Sequence, residues 1–176
     1  MRTPRRLRAV TLLTFAATFF AVAAVACGGG TEVTPEPDPE PAAGGEAEPG
    51  VVQTPPADAT TVQVQLTEWS VIPDQATVQS GQVYFLATNT GADAHELVVI
   101  RSELPPDQLP VEDGRVPEDE VDMIGEIEPF AAGSQASAVF DLEPGDYVLF
   151  CNVAEEEGGE LESHYLEGMH AAFTVE

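Results

Sequence analysis

The chain has 176 residues, and its 31 acidic residues face six arginines and no lysine, so the formal net charge is −25 at pH 7. Proteins that bind nucleic acids contact phosphates through Lys and Arg, and this composition therefore excludes a nucleic-acid-binding protein. An acidic surface attracts basic partners, and it also keeps a protein soluble without any dedicated docking face. Both explanations of the charge remain open.

The first 26 residues have the layout of a secretory signal. Four arginines within residues 2–8 precede an apolar run at residues 9–26. The run leads through Ala-Val-Ala into Cys27, and this end resembles the cleavage site of a bacterial lipoprotein, which implies that Cys27 becomes a lipidated N-terminus. Two alternatives stay open. One is an uncleaved membrane anchor, since the apolar run approaches the length of a spanning helix, and the other is twin-arginine export through Arg5-Arg6.

The segment after the signal is predicted to be a disordered tether. Residues 27–59 are rich in Gly, Pro, Glu and Ala and poor in apolar side chains, so they cannot form a core, and their alternating prolines favour an extended spacer. Once the signal is removed, 31 acidic residues oppose only Arg101 and Arg115, which gives a formal charge of −29. We therefore expect an extracytoplasmic domain anchored to the bacterial cell membrane, at the cell surface or in the periplasm.

Residues 60–176 have the length of one domain and a β pattern throughout. A loop at residues 102–120 is predicted to hold one short helical turn. Short strands separated by Gly and Pro turn signals predict an all-β sandwich. The predicted strands are Thr61–Trp69, Ala76–Val78, Gln82–Asn89, His95–Ile100, Val121–Ile127, Ser134–Leu142, Tyr147–Cys151 and Ala171–Val175.

The lone cysteine of this domain belongs to a set of potential metal ligands. With Cys27 used by the anchor, Cys151 has no disulfide partner in an oxidising compartment, and it is either a metal ligand or a small buried apolar residue. Together with His95, His164 and Met169 it supplies a thiolate, two imidazoles and a thioether, which suit copper that cycles between Cu(I) and Cu(II). His95 starts one predicted strand and Cys151 ends another, so neighbouring antiparallel strands can bring them to the same end of a sandwich.

Four segments resemble the cupredoxins, the small blue copper proteins of the plastocyanin and azurin type. The resemblance implies a Greek-key β-sandwich with one type 1 copper, held by His95, Cys151 and His164, with Met169 as the axial ligand. It also implies an electron carrier rather than an enzyme. The segments are Gly81-Gln-Val-Tyr-Phe, Asn89-Thr-Gly91…His95-Glu-Leu-Val-Val, Leu142-Glu-Pro-Gly-Asp-Tyr-Val-Leu-Phe-Cys151 and His164…Gly168-Met169-His-Ala-Ala-Phe-Thr-Val.

The chain departs from the cupredoxin pattern at two places. Twelve residues, Asn152–Ser163, separate the cysteine from the second histidine where relatives have only a few. Clustered acids favour a solvated loop, and shielding of the copper or binding of a second cation are the alternatives. Glu96 stands where several relatives carry a neutral polar residue, and a carboxylate there would favour Cu(II). His170 follows Met169 in a strand and should therefore face away from the metal.

Three functional hypotheses follow. The first is a membrane-tethered electron carrier that exchanges single electrons with an extracytoplasmic cytochrome or oxidase, whose docking face would be basic. The second is a copper storage or delivery protein, and the third is a metal-free interaction domain. Copper nitrite reductases and multicopper oxidases need further domains, and the sequence contains no nucleophile with a paired base, so an enzyme is the least favoured hypothesis.

Overall fold

The computed structural model describes residues 47–176. The predicted signal at residues 1–26, the predicted lipidation site Cys27 and the tether as far as residue 46 lie outside the described residues. No helix within residues 47–176 is long and apolar enough to cross a membrane.

Residues 47–176 form eleven β-strands, one 3-10 turn and one short α-helix. Eight of the strands lie where the sequence predicts them, and the 3-10 turn is the helical turn expected in the long loop; β2, β9, β10 and α1 are not predicted. The elements are β1 (Thr60–Thr67), β2 (Ser70–Pro73), β3 (Thr77–Val78), β4 (Gly81–Asn89), β5 (His95–Arg101), the 3-10 turn (Glu118–Glu120), β6 (Asp122–Phe130), β7 (Gln135–Leu142), β8 (Gly145–Phe150), β9 (Ala154–Glu157), β10 (Glu160–Ser163), α1 (His164–Glu167) and β11 (His170–Val175).

Nine of these strands form the two sheets of a sandwich. The first sheet has the order β2-β1-β4-β7, and the second has the order β3-β11-β8-β5-β6. Neighbouring strands are antiparallel except for β1 with β4 and β3 with β11, which are parallel. This arrangement confirms the predicted all-β Greek-key β-sandwich.

The core lies between the two sheets and is filled by alternate residues of their inner faces. On β1, Val62, Val64 and Leu66 are buried while Gln63 and Gln65 between them are exposed, which is the alternation that the sequence predicts. Aromatic rings from both sheets meet in this core, with the centroids of Phe85 and Phe173 5.6 Å apart. The packing holds β5 and β8, which position two of the predicted ligands.

Strand β5 is buried on both faces because the loop at residues 102–121 covers the outer side of the second sheet. Leu109 of this loop shares a buried cluster with Val98, whereas Leu97 and Val99 face the main core. The Leu109 N–H donates a hydrogen bond of 2.9 Å to the Tyr165 hydroxyl, which fixes the loop against the sheet. A strand that is buried on both faces has a nearly continuous run of apolar residues, and the covering loop therefore explains the sequence Leu-Val-Val-Ile in β5.

The prediction of a solvated loop between Cys151 and His164 is wrong in its secondary structure. Strands β9 and β10 pair as an antiparallel hairpin in which Ala154 lies opposite Ser163. The turn consists of Gly158 and Gly159, with φ of 63° and 90°, and two positive φ angles favour glycine in a two-residue hairpin turn. The acidic side chains of this hairpin are nevertheless solvated, as expected, because Glu155, Glu156 and Glu160 are exposed.

The chain immediately before the predicted domain lies along the edge of the first sheet. The Glu48 carbonyl accepts a hydrogen bond from the Ala131 N–H, and the Val51 carbonyl accepts one from the Ser137 N–H, both 3.0 Å long. The composition of residues 27–59, in which Gly and Pro are abundant, predicts only a disordered tether here. Pairing of residues 48–53 with β7 covers strand-edge groups that would otherwise be open to another chain.

Candidate metal centre

The predicted ligands His95, Cys151 and His164 converge at one end of the sandwich. His95 is the first residue of β5, and Cys151 follows the last residue of β8. These strands are antiparallel neighbours, with Val98 opposite Phe150, so the start of one lies beside the end of the other. One donor atom from each of the three residues lies within 4.8 Å of the other two, and all three side chains are buried.

The separations between the donor atoms fit a single metal ion. His95 Nδ1 lies 3.1 Å from His164 Nδ1, and Cys151 Sγ lies 3.4 Å from His164 Nδ1 and 4.0 Å from His95 Nδ1. Imidazole nitrogens about 2.0 Å and a thiolate about 2.3 Å from one ion would lie roughly 3–4 Å apart, using the bond lengths known for zinc. The cluster therefore has both the donor set and the spacing of a type 1 copper site.

The hairpin that separates Cys151 from His164 does not displace the second histidine. Because its strands are antiparallel, the chain returns beside its starting point, and the His164 N–H donates a 3.0 Å hydrogen bond to the Val153 carbonyl. Ser163 then caps α1, with its hydroxyl accepting from the Leu166 N–H at 3.3 Å. A long insert is thus compatible with a tight site.

The backbone of Met169 is hydrogen-bonded to two of the three converging residues, His164 and Cys151. Its N–H donates to the His164 carbonyl at 2.9 Å, and its carbonyl accepts from the Cys151 N–H at 3.0 Å. Gly168, with φ of 121°, ends α1 just before it. The Met169 side chain is fully buried in the main core. Its role as the axial ligand stays a prediction.

The all-β sandwich and the convergence of His95, Cys151 and His164 are both what the resemblance to the cupredoxins implies. No protein-family model and no curated protein sequence matches the chain. Solved structures similar to it include an auracyanin from Roseiflexus castenholzii, with 22% identity, a TM-score of 0.46 and coverage of 67% of this chain and 98% of that one. Auracyanin A, a blue copper protein from Chloroflexus aurantiacus, has 16% identity, a TM-score of 0.45 and coverage of 67% and 99%. Rusticyanin from Thiobacillus ferrooxidans has 16% identity, a TM-score of 0.41 and coverage of 74% and 88%.

Burial controls the protonation of the three converging side chains. It raises the pKa of the Cys151 thiol to about 12, against the opposing hydrogen bond that the Glu96 N–H donates to Sγ at 3.5 Å. Burial lowers the pKa of His95, and it lowers the pKa of His164 to about 4 with a further contribution from His95. Both imidazoles are therefore neutral at pH 7 and offer lone pairs, whereas an incoming metal ion must displace the thiol proton.

Glu96 influences the site through its backbone and not as a ligand. Its side chain leaves β5 on the face opposite to that of His95. There its carboxyl accepts a hydrogen bond of 2.8 Å from the Asn152 N–H. Burial raises the pKa of Glu96 to about 7, with the Asn152 hydrogen bond opposing and Glu126 adding to the shift. The expected effect of this carboxylate on Cu(II) is therefore weakened, because the group is partly protonated near neutral pH.

Two residues that no sequence motif marks cover the histidines from outside. Glu68 and Trp69 form the turn between β1 and β2, and Glu68 Oε1 lies 3.2 Å from His95 Nε2. The Trp69 ring meets the His164 ring edge-on, with the centroids 5.3 Å apart, and His164 is only 2% exposed. The sequence signal for this turn is weak, because the alternation of β1 continues through Trp69.

Glu68 is a carboxylate at neutral pH. Burial acts to raise its pKa, but hydrogen bonds from the backbone N–H groups of Asp93 and Ala92, together with the nearby His95, outweigh it and lower the pKa to about 2.

His170 lies outside the cluster, as predicted, and the centroid of its ring is 5.3 Å from that of the Tyr165 ring.

Proposed function

We propose that this protein is a type 1 copper electron carrier. The observation that carries the proposal is the convergence of the Cys151 thiol and the Nδ1 atoms of His95 and His164 in a buried cluster. A copper ion bound there would store and release one electron by changing between Cu(II) and Cu(I). The only cluster of this kind within residues 47–176 is the one at this end of the sandwich.

The residues of the chain supply what such a site requires. His95 and Cys151 are held by packed strands, and His164 by a capped helical turn, so the donor atoms have little freedom to move. All three side chains are almost completely buried, so bulk water is kept away from the donor atoms. Because the donor atoms move little, the site needs little rearrangement when the ion changes its charge, and this favours fast electron transfer.

The burial also favours an electron carrier over a protein that delivers copper. Delivery to an acceptor requires a ligand of the acceptor to reach the ion, and His164 is 2% exposed beneath Trp69. Electron transfer needs no such contact with the ion. We therefore expect slow loss of bound copper to a competing chelator.

The position of the protein in the cell is part of the proposal. The N-terminal sequence supports a lipidated Cys27 that anchors the domain to the membrane on its extracytoplasmic side. The charge of −29 without the signal supports a basic partner, such as a cytochrome or an oxidase with a cationic docking face. The fold and the one cluster within residues 47–176 support a carrier rather than an enzyme.

The test is a copper titration of the full chain, expressed in a bacterial host and extracted in detergent. One equivalent of Cu(II) should produce an intense visible thiolate-to-copper absorption and a type 1 EPR signal. Cys151→Ser should remove both, while Cys27→Ser should remove membrane anchoring and leave the spectrum unchanged. A wild-type protein that stays colourless would refute the proposal.

A further inference from the structure

We propose that Glu68 is a positioning residue for the metal centre. It holds His95 with Nδ1 free to bind a metal ion, and its charge favours Cu(II) over Cu(I). The second part rests on the proposed function, whereas the first part concerns the protein with or without copper.

The Glu68 carboxylate is fixed by three groups at once. Its Oε1 atom accepts hydrogen bonds from the Ala92 N–H at 2.8 Å and the Asp93 N–H at 3.1 Å, and it lies 3.2 Å from His95 Nε2. The carboxylate thus joins the β1–β2 turn to the loop that leads into β5. Its side chain is 26% exposed, while that of His95 is fully buried. The position of the carboxylate is therefore set by the fold and not by a freely moving surface side chain.

The contact with Glu68 determines which nitrogen of His95 carries the proton. An ionised carboxylate only accepts hydrogen bonds, so the ring must donate through Nε2–H. A neutral imidazole has one N–H, and the lone pair is then left on Nδ1. Nδ1 is the atom that faces His164 Nδ1 at 3.1 Å and Cys151 Sγ at 4.0 Å. A carboxylate behind a ligating histidine also makes the imidazole a stronger donor.

The charge of Glu68 has a separate consequence for redox chemistry. A negative charge one imidazole away from the ion stabilises the ion with the higher charge more strongly. Removal of that charge should weaken Cu(II) binding more than Cu(I) binding. The reduction potential should then rise by about 59 mV for each tenfold difference between the two losses.

Gly91 offers a way to displace the carboxylate without removing it. A Cβ atom at this position would overlap the Glu68 carboxylate, with Oε1 as the nearest atom. The overlapping group is the end of a side chain, so Gly91→Ala should turn Glu68 away from His95 at the cost of its hydrogen bonds to the N–H groups of Ala92 and Asp93, which are exposed and can bond to water instead. Glu68→Gln does the opposite: it removes the charge and keeps an oxygen for the Ala92 and Asp93 N–H groups.

The experiment compares the full-length wild type with Glu68→Gln, Gly91→Ala and the control Glu103→Gln. Glu103 is an exposed carboxylate after β5, at the end of that strand opposite His95. Nitrogen NMR of the metal-free proteins reports the tautomer of His95. Competition assays report the dissociation constants for Cu(II) and Cu(I), and voltammetry reports the potential.

The proposal makes a distinct expectation for each protein. Wild type and Glu68→Gln should show the Nε2–H tautomer, and Gly91→Ala should show a mixture of tautomers. Both site variants should bind Cu(II) about 10–100-fold more weakly, as is usual when a carboxylate behind a ligating histidine is lost. Their Cu(I) affinity should change less, so their potentials should rise, and Glu103→Gln should match the wild type.

Several results would overturn the proposal. A wild-type Nδ1–H tautomer would refute the positioning role. Equal weakening of Cu(II) and Cu(I) binding, with an unchanged reduction potential, would indicate that Glu68 has a structural role alone. If wild type binds copper and both variants match Glu103→Gln, this inference fails and the proposed function stands. If wild type shows the Nε2–H tautomer but binds no copper, the proposed function fails and the positioning of His95 stands.

Discussion

Asn152, the residue after Cys151, should be among the strongest polar contributors to the stability of the domain. Its side-chain oxygen accepts from the Val116 N–H at 2.7 Å, and its side-chain nitrogen donates to the Val116 carbonyl at 2.9 Å. Val116 is 1% exposed, and Asn152 is 4% exposed. Replacement of Asn152 by alanine would leave both backbone groups of Val116 buried without these partners.

The expected magnitude follows from that count of lost partners. Each buried polar group left unsatisfied costs about 1–3 kcal/mol, so the loss of two partners should lower the free energy of unfolding by about 2–6 kcal/mol in Asn152→Ala. Urea denaturation of the metal-free protein, followed by far-UV circular dichroism, measures this change through the midpoint and slope. The control is Gln65→Ala, because the Gln65 amide makes an exposed 2.9 Å hydrogen bond to Thr90 and should contribute about 0.5 kcal/mol or less. A loss in Asn152→Ala no larger than that of the control would refute the reasoning.

Three further predictions concern the site and its surroundings. The pKa of Glu96 is raised to about 7, so the buried neutral carboxyl contributes stability that is fully present below about pH 4.5 and is lost as the pH rises to 7. The pKa of His164 is lowered to about 4, so this group acts in the opposite direction, and its contribution to stability increases from about pH 4 to 6.5. Metal-free Glu96→Gln should therefore show thermal midpoints that rise over pH 4–6.5 more steeply than in wild type, and equal slopes would contradict this. Deletion of residues 155–157 and 160–162 keeps the Gly158-Gly159 turn between the paired residues Ala154 and Ser163, so the shortened protein should keep the visible copper spectrum. Loss of that spectrum would show that the hairpin shapes the site. Fluorescence of Trp69, the only tryptophan in the chain, should be quenched by one equivalent of Cu(II) and unaffected in Cys151→Ser, and an unquenched wild type would contradict the contact with His164.

The sequence predicts the sandwich well because its signals are local. Alternation on β1 and turn residues such as Glu143-Pro-Gly145 need no knowledge of distant contacts. The grouping of His95 with Cys151 could also be predicted, since one starts a strand and the other ends its antiparallel neighbour. The hairpin had a readable signal in Gly158-Gly159, but the surrounding glutamates favoured a loop.

The outer part of the site could not be predicted in the same way. Glu68 contacts residues 92–95, which are more than twenty positions away, and only the pairing of β1 with β4 brings them together. Trp69 reaches His164 across almost a hundred residues. Contacts of this kind depend on the register of strands, which the spacing of residue types does not reveal.

The path of residues 48–53 along β7 has a geometric consequence for the whole molecule. Glu48 meets Ala131, the residue after Phe130, and Phe130 lies opposite His95 in the second sheet. The chain therefore enters the sandwich at the same end as the metal cluster. Any chain that precedes Glu48 is therefore joined to the domain beside the cluster, and the opposite end of the sandwich is left free of that connection.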